Sequence, residues 1–284
     1  MPEAEPRAVI QIAHGMQEYA GRYADTAAFL TRHGIAVFAN DHRGHGKSLT
    51  ASGKPGDLGA GGRHAVLTDM HLLSRTIRDR HPGVPLFLLG HSWGSFLTQA
   101  YIQRWGTELS GAILSATNGA NPLVGIGVYV SRLVAAVRGD HRIASLLETL
   151  SIGGLNKQFE PGATGKEWIS RDQDVVRRYV DDPLCAQPFP NSFYVEMTVL
   201  LAEAWRKEAE ARVPKSLPVY LVAGDRDPVG LNGKGVQALA KRYRSHGLKD
   251  VTVRLYPEAR HEVLNETNRQ EVFDDLLAWV EQRL

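Results

Sequence analysis

The stretch Pro85-Leu86-Phe87-Leu88-Leu89-Gly90-His91-Ser92-Trp93-Gly94 decides how this chain folds. Its first five residues form a short apolar run of strand length. The pattern then passes through Gly-x-Ser-x-Gly and continues at helical spacing from about Ser95 to Trp105. A serine with glycine two positions before and after it suits a sharp strand-to-helix turn. Without side chains at those two positions the strained backbone can turn tightly and lift the serine hydroxyl clear of the sheet. The bare pattern is weak evidence in a chain of 284 residues with 28 glycines. Its weight comes from the strand before it and the helix after it.

The same alternation extends outward from this turn. Apolar runs at 8–13, 35–39, 111–115, 218–223 and 251–256 read as strands, and helical spacing appears at 23–33, 66–80, 233–245 and 268–283. Strands that are apolar almost throughout, alternating with helices, predict an α/β domain whose mostly parallel sheet is covered on both faces. Residues 121–208 break the rhythm, with helical segments joined by Gly and Pro turns and no convincing strand. They read as an insertion that divides one sheet domain into 1–120 and 209–284. Its first part, Leu123 to Val137, is apolar around much of its circumference. That pattern has two readings: burial against the core, or a lid that presents an oily surface to a substrate or a lipid interface.

Composition excludes several classes. Hydrophobic residues make up 43% and charged ones 23%, ordinary globular proportions. Thirty-three Lys+Arg against 31 Asp+Glu gives +2, too balanced for a dedicated nucleic-acid binder. The single cysteine, Cys185, cannot form an internal disulfide and reads as a small buried residue. No apolar run reaches the ~18 residues of a membrane span. Met1 to Arg7 carries neither a basic leader nor an apolar signal core, so the expectation is a cytoplasmic protein.

A serine hydroxyl is a poor nucleophile at neutral pH and needs a base with an orienting acid. After a nucleophile elbow those follow in the order acid, then histidine. Two histidines lie late enough. His246 sits at a helix end, where a cation is explained by the helix dipole. His261 follows the last strand, in a loop on the rim where catalytic groups gather, and is the expected base. Asp225 and Asp227 compete for the acid in Ala223-Gly224-Asp225-Arg226-Asp227-Pro228-Val229. Asp225 is placed to bind turn amides, which favours Asp227. Oxyanion donors are expected from the backbone N–H of Trp93 and, in the loop after the first strand, of Met16. His14, Gly15 and His91 are the expected substrate-facing neighbours.

His14-Gly15-Met16 with Gly21-Arg22-Tyr23, Asp41-His42-Arg43-Gly44-His45-Gly46-Lys47-Ser48, and Gly90-His91-Ser92-Trp93-Gly94 together resemble the α/β-hydrolase family of monoacylglycerol lipases and lysophospholipases. Asp227 and His261 fall at that family's acid and base positions, and Asp182-Pro183-Leu184-Cys185 resembles a segment near the end of its cap. The resemblance covers nearly the whole chain. It implies cleavage of single-chain acyl glycerides or lysophospholipids under a helical cap that shapes an apolar tunnel, without a cofactor. Two departures stand out. Gln17 and Tyr19 occupy positions where the family often has Gly and His. The hairpin that usually precedes the family's equivalent of the strand at 8–13 is missing, which would leave the strand at 35–39 as an exposed edge open to pairing with a partner chain.

Other readings carry less. Gly44-His45-Gly46-Lys47-Ser48 is no phosphate loop, because Asp41 stands where that motif needs glycine. His42, His45 and His64 lack a recognised metal-ligand spacing, so no metal is expected. Trp105, Trp168, Trp205 and Trp279 read as core or cap packing. The alternatives are a hydrolase of the same scaffold acting on a short-chain ester, a thioester or an N-terminal peptide bond, and a catalytically silent ligand receptor. The expected partner is a small acyl ester, with weak lipid-surface contact through the cap.

Overall fold

In the computed structural model, which describes residues 1–284 except 3 and 160, every one of the six apolar runs forms a strand. They are β1 (Ala8–Ala13), β2 (Ile35–Ala39), β3 (Leu86–His91), β4 (Gly111–Ser115), β5 (Val219–Gly224) and β6 (Val251–Tyr256). The sheet order is β2-β1-β3-β4-β5-β6, and every pair is parallel. β3 runs two residues past the apolar stretch because His91 still pairs with Ser115 on β4. β2 is the outer strand, and among the described residues no antiparallel strand lies beside it.

Core helices α1 (Ala24–Arg32), α2 (Gly62–Arg80) and α3 (Trp93–Trp105) follow the first three strands. Gly34, at φ +75°, stops α1 in the left-handed conformation that a helix end favours. Between β4 and β5 lie five helices and no strand among the described residues: α4 (Val124–Arg138), α5 (Ser145–Ser151), α6 (Gln173–Asp181), α7 (Asn191–Ala204) and α8 (Lys207–Glu210). Asp172 caps α6 by accepting the N–H groups of Asp174 and Val175. The chain ends with α9 (Lys234–Ser245) and α10 (Arg269–Glu281). His246 closes α9 and reaches Glu210 Oε2 at 3.1 Å.

Successive strand residues alternate between two apolar layers. Val9, Leu88, Leu114 and Leu221 face one layer, which α2, α3, α7 and α9 cover. Ile10, Phe87, Ile113 and Tyr220 face the other, beneath α1 and α10. Truncating a fully buried leucine such as Leu88 to alanine costs about 2–5 kcal/mol. Those two layers fix the sheet, and the sheet fixes its C-terminal rim, where the loops after β1, β3, β5 and β6 meet.

Burial against the core accounts for only part of α4. Val124, Val130 and Val134 pack inward, but Leu123, Ile126, Tyr129, Leu133 and Val137 are exposed, Val137 at 75%. The segment is apolar on two faces, and only one of them has core to meet.

Candidate active site

Ser92 sits in the turn between β3 and α3 at φ 52° and ψ −120°. Such a backbone costs a non-glycine residue about 1–3 kcal/mol and persists only where its surroundings over-determine it. Here Ser92 N–H donates to Ser115 O on β4, while Ser92 O accepts from Ser95 N–H in α3. The flanking glycines are required by contact. A Cβ at Gly90 would lie 2.3 Å from Gly94 O, and one at Gly94 would lie 2.1 Å from Ala13 O.

His261 and Asp227 meet on the same rim. The imidazole Nδ1 lies 2.9 Å from Asp227 Oδ1, and both side chains are buried. Asp227 Oδ1 also accepts the N–H of Val229. Asp225 turns elsewhere, accepting the Glu258 N–H at 2.7 Å and so bracing the turn after β6. The backbone N–H groups of His261 and Glu262 donate to Trp168 O and Ile169 O, fixing the histidine loop to the segment before α6. Burial acts to depress the His261 pKa, but the charge and hydrogen bond of Asp227 together with the charges of Glu262 and Glu18 outweigh it, and the net direction is upward. Ser92 and His261 line one cavity. Among the described residues no hydrogen bond joins them, a bond that in ligand-free hydrolases often tightens only with substrate.

The loop after β1 approaches Ser92. The N–H groups of Met16 and Trp93 meet no acceptor among the described residues, and Trp93 opens α3, where helix amides carry partial positive charge. Gly15 N–H is occupied, donating to Glu18 Oε1 at 2.5 Å. Glu18 also accepts from Tyr23 Oη and from Arg22, which clasps both carboxylate oxygens of Glu262 at 2.5 and 2.7 Å. Burial would raise the Glu18 pKa, but Arg22, His91, His14 and the Tyr23 hydrogen bond together hold it down at about 2. This ion pair links the loop after β1 to the residue that follows His261. It was missed in the sequence, where the only trace was Arg22 beside Tyr23.

His14 is corrected. It is fully buried and absent from the cavity wall, with Nδ1 on Gly15 O and Nε2 accepting the His42 N–H, so it braces the loop and does not face substrate. Gly15 and His91 do line the cavity. Burial and the neighbouring His261 push the His91 pKa down to about 4, leaving a neutral ring whose Nδ1 lies 3.2 Å from Ser115 Oγ. His42 and His45 pack with His14 and Trp93, whereas His64 lies on α2 beside Arg104, so the three histidines with metal-binding potential do not converge.

The cavity has a volume of about 410 Å³. Core residues form its floor, while Val124, Met197, Leu201 and Trp205 from α4 and α7, with Trp168 before α6, give it apolar walls. Trp168 and Trp205 therefore do more than pack. Glu18 and Glu262 lie in the wall, and no lysine or arginine does among the described residues.

Residues 4–268 match the model of the hydrolase family described as serine aminopeptidase, S33. The chain belongs to that family. A monoacylglycerol lipase of Mycolicibacterium smegmatis is 30% identical over 290 residues, covering 100% of this chain and 91% of that protein. A human monoglyceride lipase is 28% identical, covering 99% and 85%. Among solved structures, a thermostable carboxyl esterase from Bacillus coagulans, in complex with glycerol, superposes with a TM-score of 0.92 at 31% identity, covering 99% of this chain and 92% of that one. This S33-family chain has the α/β-hydrolase fold. Its departure at Gln17 and Tyr19 is structural as well as sequential: Gln17 adopts φ +59°, and both side chains bond to residues between β4 and β5.

Proposed function

We propose that Ser92, His261 and Asp227 form the catalytic triad of this carboxylic ester hydrolase, and that its substrates are uncharged single-chain acyl esters, monoacylglycerols above all. The hydrolase activity itself rests on the family and on lipase and esterase relatives across the full chain. His261 removes the Ser92 proton as Oγ attacks the acyl carbonyl. Asp227 orients the imidazole and stabilises its cation, and the Met16 and Trp93 N–H groups receive the oxyanion. The imidazolium returns its proton to the departing alcohol. Water, activated by the same imidazole, then releases the fatty acid from the acyl-enzyme.

One observation carries the substrate choice: the cavity is apolar, and its anionic wall groups are carboxylates with no lining cation. A lysophospholipid phosphate calls for a lysine or arginine beside it, and the wall offers neither among the described residues. An uncharged glycerol headgroup needs no such counter-charge. The test compares a monoacylglycerol with a lysophosphatidylcholine of the same acyl chain. The monoacylglycerol is expected to turn over at least tenfold faster in kcat/KM, and equal rates would reject the choice. A peak at acetyl or butyryl esters, or faster cleavage of an aminoacyl anilide, would move the assignment to the short-chain or peptide-bond alternative.

Residues 121–208 serve as the cap in this reading, with α8 straddling the boundary. The exposed row Ile126, Tyr129, Leu133 and Val137 supplies weak contact with lipid surfaces. The open edge at β2 offers a second copy a place to pair, which sedimentation velocity tests directly.

A further inference from the structure

Gln17 lies next to the proposed oxyanion donor Met16 and does something no sequence pattern announces. Its backbone is left-handed at φ +59°, a conformation that costs a side-chain-bearing residue on the order of 1–2 kcal/mol. It is also 97% buried, being 3% exposed. A strained, buried polar residue of this kind persists only where its surroundings hold it. The side-chain amide donates to Gln187 O at 2.8 Å and to Glu148 Oε1 at 3.1 Å. Both partners are acceptors, so the amide nitrogen must face them and the orientation is unambiguous.

The backbone adds a third tie, because Gln17 O accepts the N–H of Ala186 at 3.0 Å, and Ala186 is itself left-handed at φ +51°. Two residues on, Tyr19 Oη donates to Asp182 Oδ2 at 2.9 Å. The loop therefore grips one short segment, 182–187, and the middle of α5. On its other side, Gly15 N–H is held by Glu18. The peptide bearing the Met16 N–H lies between two anchored residues, one fixed from the core and one from the cap.

The geometry points to Gln17 as a positioning residue: its amide, bonded to the cap at Glu148 and Gln187, holds the loop so that the Met16 N–H faces the acyl carbonyl. The inference rests on the oxyanion assignment above. It has a consequence that direct contact does not produce. Glu148 does not line the cavity, yet its loss reaches the chemical step through Gln17.

Gln17→Gly removes both side-chain bonds while relieving the backbone strain. Glu148→Ala removes one acceptor, and Glu148→Gln keeps an amide oxygen in its place. With a soluble p-nitrophenyl ester, Gln17→Gly is expected to lower kcat roughly 10- to 100-fold with KM within about twofold. That is smaller than the loss of a whole oxyanion donor, which costs about 10²–10³. Glu148→Ala should lower kcat by about 3- to 10-fold, with Glu148→Gln near wild type. Affinity for a trifluoromethyl ketone, whose serine adduct carries the oxyanion, should weaken in step with kcat/KM. A purely structural role would lower the melting temperature and leave kcat and ketone affinity alone, and that result overturns the proposal. A rise in KM at constant kcat overturns it too, as a substrate contact. Should Gln17→Gly fail to fold, the Glu148 pair decides by the same criteria. Ser92→Ala, run alongside, separates the failures: residual turnover there indicts the nucleophile assignment and not Gln17.

Discussion

The rim of the sheet holds its buried carboxylates with hydrogen bonds and ion pairs, whereas the helices between β4 and β5 turn leucine, isoleucine, valine and tyrosine to solvent. On the rim, Asp227, Glu18 and Glu262 are all buried and each is held by named donors. On α4 only Ser131 and Ala135 are buried. The difference follows from what each region must do. Acyl transfer needs donors and a base fixed to within fractions of an ångström, and the buried carboxylates of the rim are held accordingly. On the proposed reading an acyl chain asks only for apolar area, which is not directional, so helices that enclose it can stay partly open.

Substitutions across that divide should therefore fail in different ways. Ser92→Ala is expected to have the largest effect, a fall of about 10⁴ or more in kcat/KM for a p-nitrophenyl ester with an unchanged far-ultraviolet spectrum. Asp227→Asn follows, with a kcat loss of about 10⁴ and a displaced pH profile. In the proposed mechanism His261 acts as a base only when neutral, and its pKa is raised above the usual 6.5. Wild-type activity should therefore fall as pH drops through a midpoint above 6.5. Removing Asp227 takes away the largest upward pull and leaves only Glu262 and Glu18 against burial, so the acid limb should move to lower pH.

Glu18→Gln tests the brace by stability. It leaves Arg22 buried with one carboxylate partner instead of two, and urea unfolding should show a loss of about 2 kcal/mol. An unchanged midpoint would mean that the rim is not braced as described. The smallest effect belongs to the other region. Leu133→Ser with Val137→Ser should change stability by less than about 0.5 kcal/mol and leave soluble-ester turnover intact, while abolishing co-sedimentation with phosphatidylcholine vesicles. If the wild type does not sediment with vesicles, the lipid-surface contact is rejected.

Much of the sheet was readable from residues alone. The strands at 8–13, 35–39, 111–115 and 251–256 have the limits seen in the structure, because continuous apolar runs between turn residues have few other places to go. Turn chemistry pointed to Ser92, and chain order pointed to His261. Choosing Asp227 over Asp225 depended on loop position, and the geometry brings Asp227 to His261 Nδ1. His14 misled, since a histidine beside a glycine in a site loop reads equally as contact or brace, and only burial separates them. Glu18 and Glu262 are 244 residues apart in the chain, and no local pattern announces that Arg22 joins them. The outward face of α4 was undecidable for a related reason. An apolar circumference states what a helix could bury, and the neighbours that decide it come from elsewhere in the fold.

Labelling with a fluorophosphonate, read by intact mass and peptide mapping, tests the central claim most directly. A single adduct on Ser92, lost in Ser92→Ala and greatly slowed in His261→Ala, is the predicted result. An adduct on another residue, or undiminished labelling of the Ser92→Ala protein, would contradict it.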